Sequence, residues 1–225
     1  MPMKHAKLRS LNLGNYFLLT LVLILIFVVQ LFPGRMQDLL FDIFFTLIYL
    51  SVTLTVDQFK KPFVVIALSL MVMSWVSAFN NFPLLSVITK VVAILFFCLV
   101  VFTFINMISR SKVVNAKMIL ESINGYLLMG IMFALLTALL MFNDPTAFRF
   151  PAVMPPNPEL TTGFSDYIYF TLVSMTTLGY GDIVPVSPAA RSLATFISVS
   201  GQLYIAIIIA MLVGKFASKT NQTES

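Results

Sequence analysis

The chain has 225 residues, of which 59% are hydrophobic and only 10% are charged, and its net charge is +5. No soluble domain of this size needs so much apolar surface, so the composition indicates a membrane protein with several spans. His5 and Cys98 are the only histidine and cysteine, which leaves too few partners for a Cys/His metal site or a Ser-His-Asp triad.

Six segments are apolar enough to cross a bilayer as helices, which takes about 20 residues each. They cover residues 14–32, 38–57, 62–80, 84–108, 118–142 and 189–216. Residues 164–176 are too few to cross and are predicted to form a re-entrant helix. No small-residue cleavage site follows the first segment, so we expect a retained helix and not a signal peptide. The predicted fold class is an all-α membrane protein.

Basic residues are distributed unevenly across this arrangement. With the N-terminus inside, the inner side holds Lys4, Lys7, Arg9, Lys60, Lys61, Arg110, Lys112, Lys117, Lys215 and Lys219. The outer connections hold Arg35, Arg149 and Arg191. Because cytoplasmic loops are enriched in Lys and Arg, both termini are predicted to be cytoplasmic. The positive charge therefore reflects topology, and we expect no nucleic-acid partner.

The most informative stretch runs from Thr176 to Asp182 and reads Thr-Thr-Leu-Gly-Tyr-Gly-Asp. A potassium filter needs an extended backbone whose carbonyl oxygens point inward and replace the hydration shell of the ion. Glycine accepts φ > 0 at little steric cost, so Gly179 and Gly181 can turn successive carbonyls the same way. The alternative is a glycine-rich loop without function, but the position between an amphipathic stretch and a membrane helix favours a filter.

This stretch resembles the Thr-Val-Gly-Tyr-Gly filter of the tetrameric potassium channels, with Leu178 where valine is commonest. The resemblance implies K⁺ sites formed by the backbone carbonyls of Thr177, Leu178, Gly179 and Tyr180, with Gly181 closing the motif. The Thr177 hydroxyl would form the innermost site, and the Tyr180 ring should brace the filter from behind. Because one chain carries one such motif, four chains would be needed for a pore.

Residues 169–175 match the pore helix of that family by position. Many relatives have a tryptophan at the position of Tyr169, and its N–H bonds the aspartate that follows the filter. The Tyr169 hydroxyl could do the same for Asp182. Together with Thr176, these residues are expected to support the filter.

The last span carries Gly201 twenty positions after Gly181. In the resembling channels a glycine at this distance is the opening hinge, but close helix packing explains a membrane glycine equally well. A stripe of Ile205, Ile209 and Val213 follows at four-residue spacing. These residues either line a hydrophobic gate that closes by dewetting or face lipid.

The chain divides into a four-helix membrane module (1–108), a cytoplasmic linker (109–117) and a pore module (118–225). The layout resembles six-helix voltage-gated potassium channels, but the fourth segment holds Lys90 as its only charge. A voltage sensor needs several charges per subunit, so we predict no strong voltage gating. Lys90 is expected to pair with Asp42 at similar depth; independent snorkelling of both side chains is the alternative.

Taken together, the sequence predicts a homotetrameric, potassium-selective channel of the plasma membrane that conducts K⁺ passively and catalyses no reaction. Membrane lipid and K⁺ are its expected partners, and no cofactor is expected besides K⁺ in the filter. A weakly selective cation channel and a non-conducting accessory subunit are the alternatives. A potassium transporter subunit is disfavoured, because those resemble four fused pore units with degenerate filters.

Overall fold

The computed structural model describes residues 2–32, 34–56, 60–80, 83–111, 114–151 and 163–221. Its helices are α1 (Pro2–Phe27), α2 (Gly34–Thr55), α3 (Lys60–Asn80), α4 (Pro83–Arg110), α5 (Ala116–Asn143), α6 (Phe164–Met175) and α7 (Pro188–Asn221). A 3-10 turn, Val29–Leu31, follows α1. Two short strands, β1 (Phe148–Arg149) and β2 (Val184–Pro185), pair in antiparallel fashion.

Among the described residues, five helical segments are long and apolar enough to cross a membrane, so the prediction of an α-helical membrane protein is confirmed at this level. They are Leu13–Leu31, Gly34–Thr55, Pro83–Arg110, Ala116–Asn143 and Pro188–Phe216. The apolar part of α3, Phe63–Ser77, is shorter, and the sixth span stays a prediction. The β1–β2 pair was not predicted, because two-residue strands carry no periodicity. Since α4 continues to Arg110 and α5 begins at Ala116, the connection between them is shorter than the predicted linker 109–117.

Helix α5 lies at the centre of the helix bundle and is the most buried of the five candidate spans. It packs against α1 and α4 on one side and against α6 and α7 on the other, while α2 and α3 complete the first four helices. Aromatic rings fill the space between α2 and α4: Tyr49 lies 5.5 Å from Phe96 and 5.7 Å from Phe97, measured between ring centroids. Such contacts add to the stabilisation from apolar burial.

Among the described residues, hydrogen bonds tie α5 to the helices on both sides of it within the same chain. The Asn124 side-chain amide donates to the Asn15 carbonyl oxygen of α1 at 3.0 Å. On the opposite side, the Tyr204 hydroxyl of α7 donates to the Ser122 carbonyl oxygen at 2.9 Å. Polar groups at membrane depth need internal partners, so these contacts fix the rotation of α5. Of the first four helices, α1 and α4 therefore contact the α5 of their own chain.

The β1–β2 pair joins the segment after α5 to the segment that precedes α7. Phe148 pairs with Pro185, and the Ala147 carbonyl accepts hydrogen bonds from the amides of Val186 and Ser187. Phe148 also packs edge-on against Phe170 of α6, with ring centroids 4.9 Å apart. The residues on both sides of α6 are thus held at one end of the bundle, called here the α6 end.

Candidate functional site

Helix α6 occupies the predicted short segment and approaches both neighbouring helices closely at glycines. A Cβ added at Gly130 of α5 would lie 2.9 Å from the Leu172 side chain. A Cβ at Gly201 of α7 would lie 2.8 Å from the carbonyl oxygen of Met175, the last residue of α6. Backbone cannot move aside as a flexible side chain can, so this geometry favours the packing role of Gly201 over the hinge role.

Gln202 fixes the end of α6 directly. Its side-chain amide donates to the Met175 carbonyl oxygen at 3.0 Å, which satisfies one of the acceptors that every helix leaves open at its C-terminus. The sequence marks Gln202 as unusual, because it is polar within an apolar helix, but its partner lies 27 residues away in the chain. Sequence reasoning therefore missed this support for the segment that follows α6.

The backbone after α6 alternates between positive and negative φ. Thr177, Gly179 and Gly181 have φ values of 61°, 56° and 79°, whereas Leu178 and Tyr180 between them have no positive φ. The two glycines adopt this conformation without a Cβ penalty. Thr177 is β-branched, so a positive φ strains its backbone. Such strain is concentrated at functional sites.

Backbone hydrogen bonds set the direction of the carbonyls in this segment. The amides of Leu178 and Gly179 both donate to the Val173 carbonyl in the last turn of α6, at 3.0 Å and 3.3 Å. Across a planar trans peptide the C=O points opposite to the N–H. The carbonyls of Thr177 and Leu178 therefore both point away from α6. Two successive carbonyls facing the same side form a surface that can coordinate a cation.

The side chains of this segment are largely uncovered within one chain. Leu178 is 55% exposed and Tyr180 is 67% exposed, so the bracing expected of Tyr180 would have to involve another chain. The Thr177 hydroxyl donates to the Thr176 carbonyl at 2.6 Å, and the Thr176 hydroxyl donates to the Leu172 carbonyl at 2.8 Å. Thr176 thus connects the segment back to α6.

Tyr169 and Asp182 meet behind the segment, as the sequence suggested. The Tyr169 hydroxyl donates to a carboxylate oxygen of Asp182 at 2.6 Å, and the other carboxylate oxygen accepts the Ile183 amide at 3.0 Å. The hydrogen bond with Asp182 raises the pKa of Tyr169 to about 12. The same bond holds the pKa of Asp182 below its ordinary value. Its role in supporting a filter stays a prediction.

Helix α7 is the least buried of the five candidate spans. Tyr204 and Ile208 are buried, whereas Ile205, Ile209 and Val213 are 36%, 54% and 62% exposed. The exposed stripe is available to a pore or to lipid, so both interpretations of it stay open.

Lys215, close to the end of α7, binds the C-terminal end of α4. Its ammonium group donates to the carbonyl oxygens of Ile108 and Ser109, the latter at 2.9 Å. A cation at this position satisfies open carbonyls and complements the helix dipole. The sequence identified Lys215 only as an inner basic residue, because its partners lie more than 100 residues earlier.

The expected pair of Asp42 and Lys90 is not formed. The Lys90 ammonium donates to the Ser86 hydroxyl at 3.1 Å and lies over the Phe142 ring, 5.4 Å from its centroid. Among the described residues, no ion pair joins it to the Asp42 carboxylate. The physical reason is that Ser86 lies one turn earlier on the same helix and is within easy reach, whereas Asp42 lies across a cavity between helices.

Comparison with known proteins finds similarity to ion channels over the residues of this site. Residues 155–218, less than a third of the chain, match a family model described as an ion channel. A stretch of 94 residues is 31% identical to the A-type voltage-gated potassium channel KCND3 of Rattus norvegicus, and equally to that of Homo sapiens. The match covers 42% of this chain and 14% of the relative, so the chain spans only a small part of its length. These similarities point to a membrane channel and not to an enzyme.

Proposed function

We propose that this chain is one subunit of a homotetrameric, potassium-selective channel in the plasma membrane. In this proposal six helices span the bilayer, α6 re-enters from outside, both termini are cytoplasmic and K⁺ passes down its electrochemical gradient. The site would be built by Thr177, Leu178, Gly179 and Tyr180 of four chains, with Gly181 at the outer end.

The observation that carries the proposal is the direction of the carbonyls after α6. The amides of two successive peptides are bound to Val173, so their carbonyls share one free face. Alternating positive φ values continue this pattern through Gly179 and Gly181. Potassium filters bind dehydrated ions with carbonyl oxygens in this arrangement. The C-terminal end of α6 also brings the negative end of a helix dipole towards the site, which favours a cation.

Fourfold assembly is supported by what one chain leaves uncovered. Leu178 and Tyr180 are exposed, and only 22% of the most apolar stretch of α7 is buried within the chain. Single-motif chains reach a closed ring of carbonyls only by symmetric association. Because Lys90 is the only charge of α4 before Arg110, we propose that such a tetramer is not strongly gated by voltage.

The test compares two glycine substitutions of equal backbone cost. Gly179 and Gly34 have φ of +56° and +53°, and neither has an atom within 4 Å of an added Cβ. An alanine at either position costs about 1–2 kcal/mol of backbone strain. In liposomes that contain the purified chain, we expect Gly179→Ala to carry either no current or a current that does not distinguish K⁺ from Na⁺. We expect Gly34→Ala to retain the K⁺ over Na⁺ selectivity of the wild type.

Two outcomes would replace the proposal by another. Wild-type currents that pass Na⁺ as readily as K⁺ would identify a weakly selective cation channel. Assembled protein that carries no current would identify an accessory subunit. If the Gly179→Ala protein had the same K⁺ over Na⁺ permeability ratio as the wild type, these carbonyls would not line the conduction pathway.

A further inference from the structure

A cavity of about 450 Å³ opens among α2, α3, α4, α5 and the start of α6, away from the segment that follows α6. The residues that matter for its chemistry are Asp38, Asp42, Phe45, Tyr49, Ser86 and Lys90. It is large enough for a small organic molecule. It is mainly apolar and contains charged groups of both signs.

The charges in this cavity are not neutralised by each other. Lys90 is bound to the Ser86 hydroxyl, and no ion pair joins it to Asp42, although both side chains line the same space. Among the described residues, no side chain donates a hydrogen bond to the Asp42 carboxylate. Asp38 lies one helical turn further towards the α6 end on the same helix. Charged groups within membrane helices that lack a partner mark binding sites or pathways.

The charged groups lie towards the α6 end, where Phe41, Phe142 and Phe164 also line the cavity, and the Phe45 and Tyr49 rings lie further along α2. Asp42 and Tyr49 are seven residues apart on α2, which corresponds to about 10 Å along the helix. Phe45 and Tyr49 are in ring contact with one another, with centroids 6.0 Å apart. A molecule that enters from the α6 end would therefore meet the charged groups first and place an apolar part against the rings.

We propose that this cavity binds a free α-amino acid with an apolar side chain. Its ammonium group would bind Asp42, with Asp38 adding to the negative field, and its carboxylate would bind Lys90 and the Ser86 hydroxyl. The apolar side chain would contact Phe45 and Tyr49. This ligand neutralises opposite charges that the protein itself leaves apart. A simple amine would leave Lys90 unpaired, and a carboxylic acid would leave Asp42 unpaired.

The chain provides its own reporter for this binding. Trp75 is the only tryptophan, and its indole N–H donates to the Thr46 hydroxyl at 3.0 Å, one turn beyond Asp42. Its neighbour Ser74 lines the cavity. Leucine is the suitable probe because it does not fluoresce. This readout needs no ion current, so binding is tested independently of the proposed conduction.

The experiment uses the full chain in phosphatidylcholine nanodiscs. L-leucine is titrated to about 10 mM, because a dissociation constant of 1 mM corresponds to only about 4 kcal/mol. We expect a saturable change in Trp75 emission with L-leucine. N-acetyl-leucine, which lacks the ammonium group, and isoamylamine, which lacks the carboxylate, should produce none.

Substitutions then test the assigned contacts. Asp42→Asn and Lys90→Met should each weaken leucine binding at least about tenfold, since hydrogen bonds to charged groups are the strong ones. The exposed Lys61 serves as a matched control, and Lys61→Met should bind as the wild type does. Where a cavity variant does not fold, Ser86→Ala is the milder change and should weaken binding by a smaller factor.

Three results in phosphatidylcholine nanodiscs would overturn the proposal. They are no saturable response to leucine, equal responses to isoamylamine or N-acetyl-leucine, and unchanged affinity in both charge variants. Loss of the leucine response in nanodiscs that contain phosphatidylethanolamine would also overturn it, because a lipid headgroup would then be the occupant.

Discussion

Gly201→Ala distinguishes the packing and hinge roles of this glycine by the sign of its effect on stability. In an open helix the exchange stabilises by about 1 kcal/mol, because alanine is the better helix former. At Gly201 the new Cβ would lie 2.8 Å from the Met175 oxygen and 3.0 Å from its Cα. Forcing an extra methyl into such a site costs about 1–3 kcal/mol. We therefore expect net destabilisation by up to about 2 kcal/mol per chain.

Gly214 is the matched control, since it lies on the same helix and an added Cβ would meet nothing within 4 Å. Gly214→Ala should be stabilising or neutral. Both variants are compared with the wild type by denaturant unfolding in detergent. Because the clash is with the end of α6, Gly201→Ala should also alter K⁺ over Na⁺ selectivity. A Gly201→Ala protein as stable as Gly214→Ala, with unchanged selectivity, would refute the packing argument.

The remaining predictions concern the contact of Tyr169 with Asp182, the charge of Lys90 and the contact made by Lys215. A double-mutant cycle of Tyr169→Phe and Asp182→Asn should give a non-zero coupling energy in measurements of the free energy of unfolding. Additive effects of the two substitutions would show that these side chains do not stabilise each other. Since the pKa of Asp182 is lowered and that of Tyr169 is raised, the stabilisation should persist from about pH 4 to about pH 10. It should fall as pH drops through the folded-state pKa of Asp182 and, separately, as pH rises through about 12, the pKa of Tyr169. Open probability should change shallowly with voltage and keep its slope in Lys90→Gln. Lys215→Met should lower the free energy of unfolding by about 1 kcal/mol, unlike the exposed control Lys61→Met.

Sequence reasoning succeeded where the determining interactions are local. Positive φ at Gly179 and Gly181 follows from the residue type, and the contact of Tyr169 with Asp182 spans only 13 residues. It failed for Asp42 and Lys90, because hydropathy gives the depth of a residue in a helix but not the distance at which two packed helices hold their side chains. The partners of Gln202 and Lys215 were missed for the same reason, since packing between distant segments determines them.

In the proposed tetramer, the hydrogen bonds of the segment after α6 also explain why an ion would be part of its structure. The amides of Leu178 and Gly179 are already satisfied by Val173. The carbonyls of Thr177 and Leu178 face the other way, where four copies would bring only further carbonyls together. An unsatisfied carbonyl at membrane depth costs several kcal/mol. A bare cation would supply the missing partner for all four chains at once, so in this proposal the binding of K⁺ and the order of this backbone would be coupled.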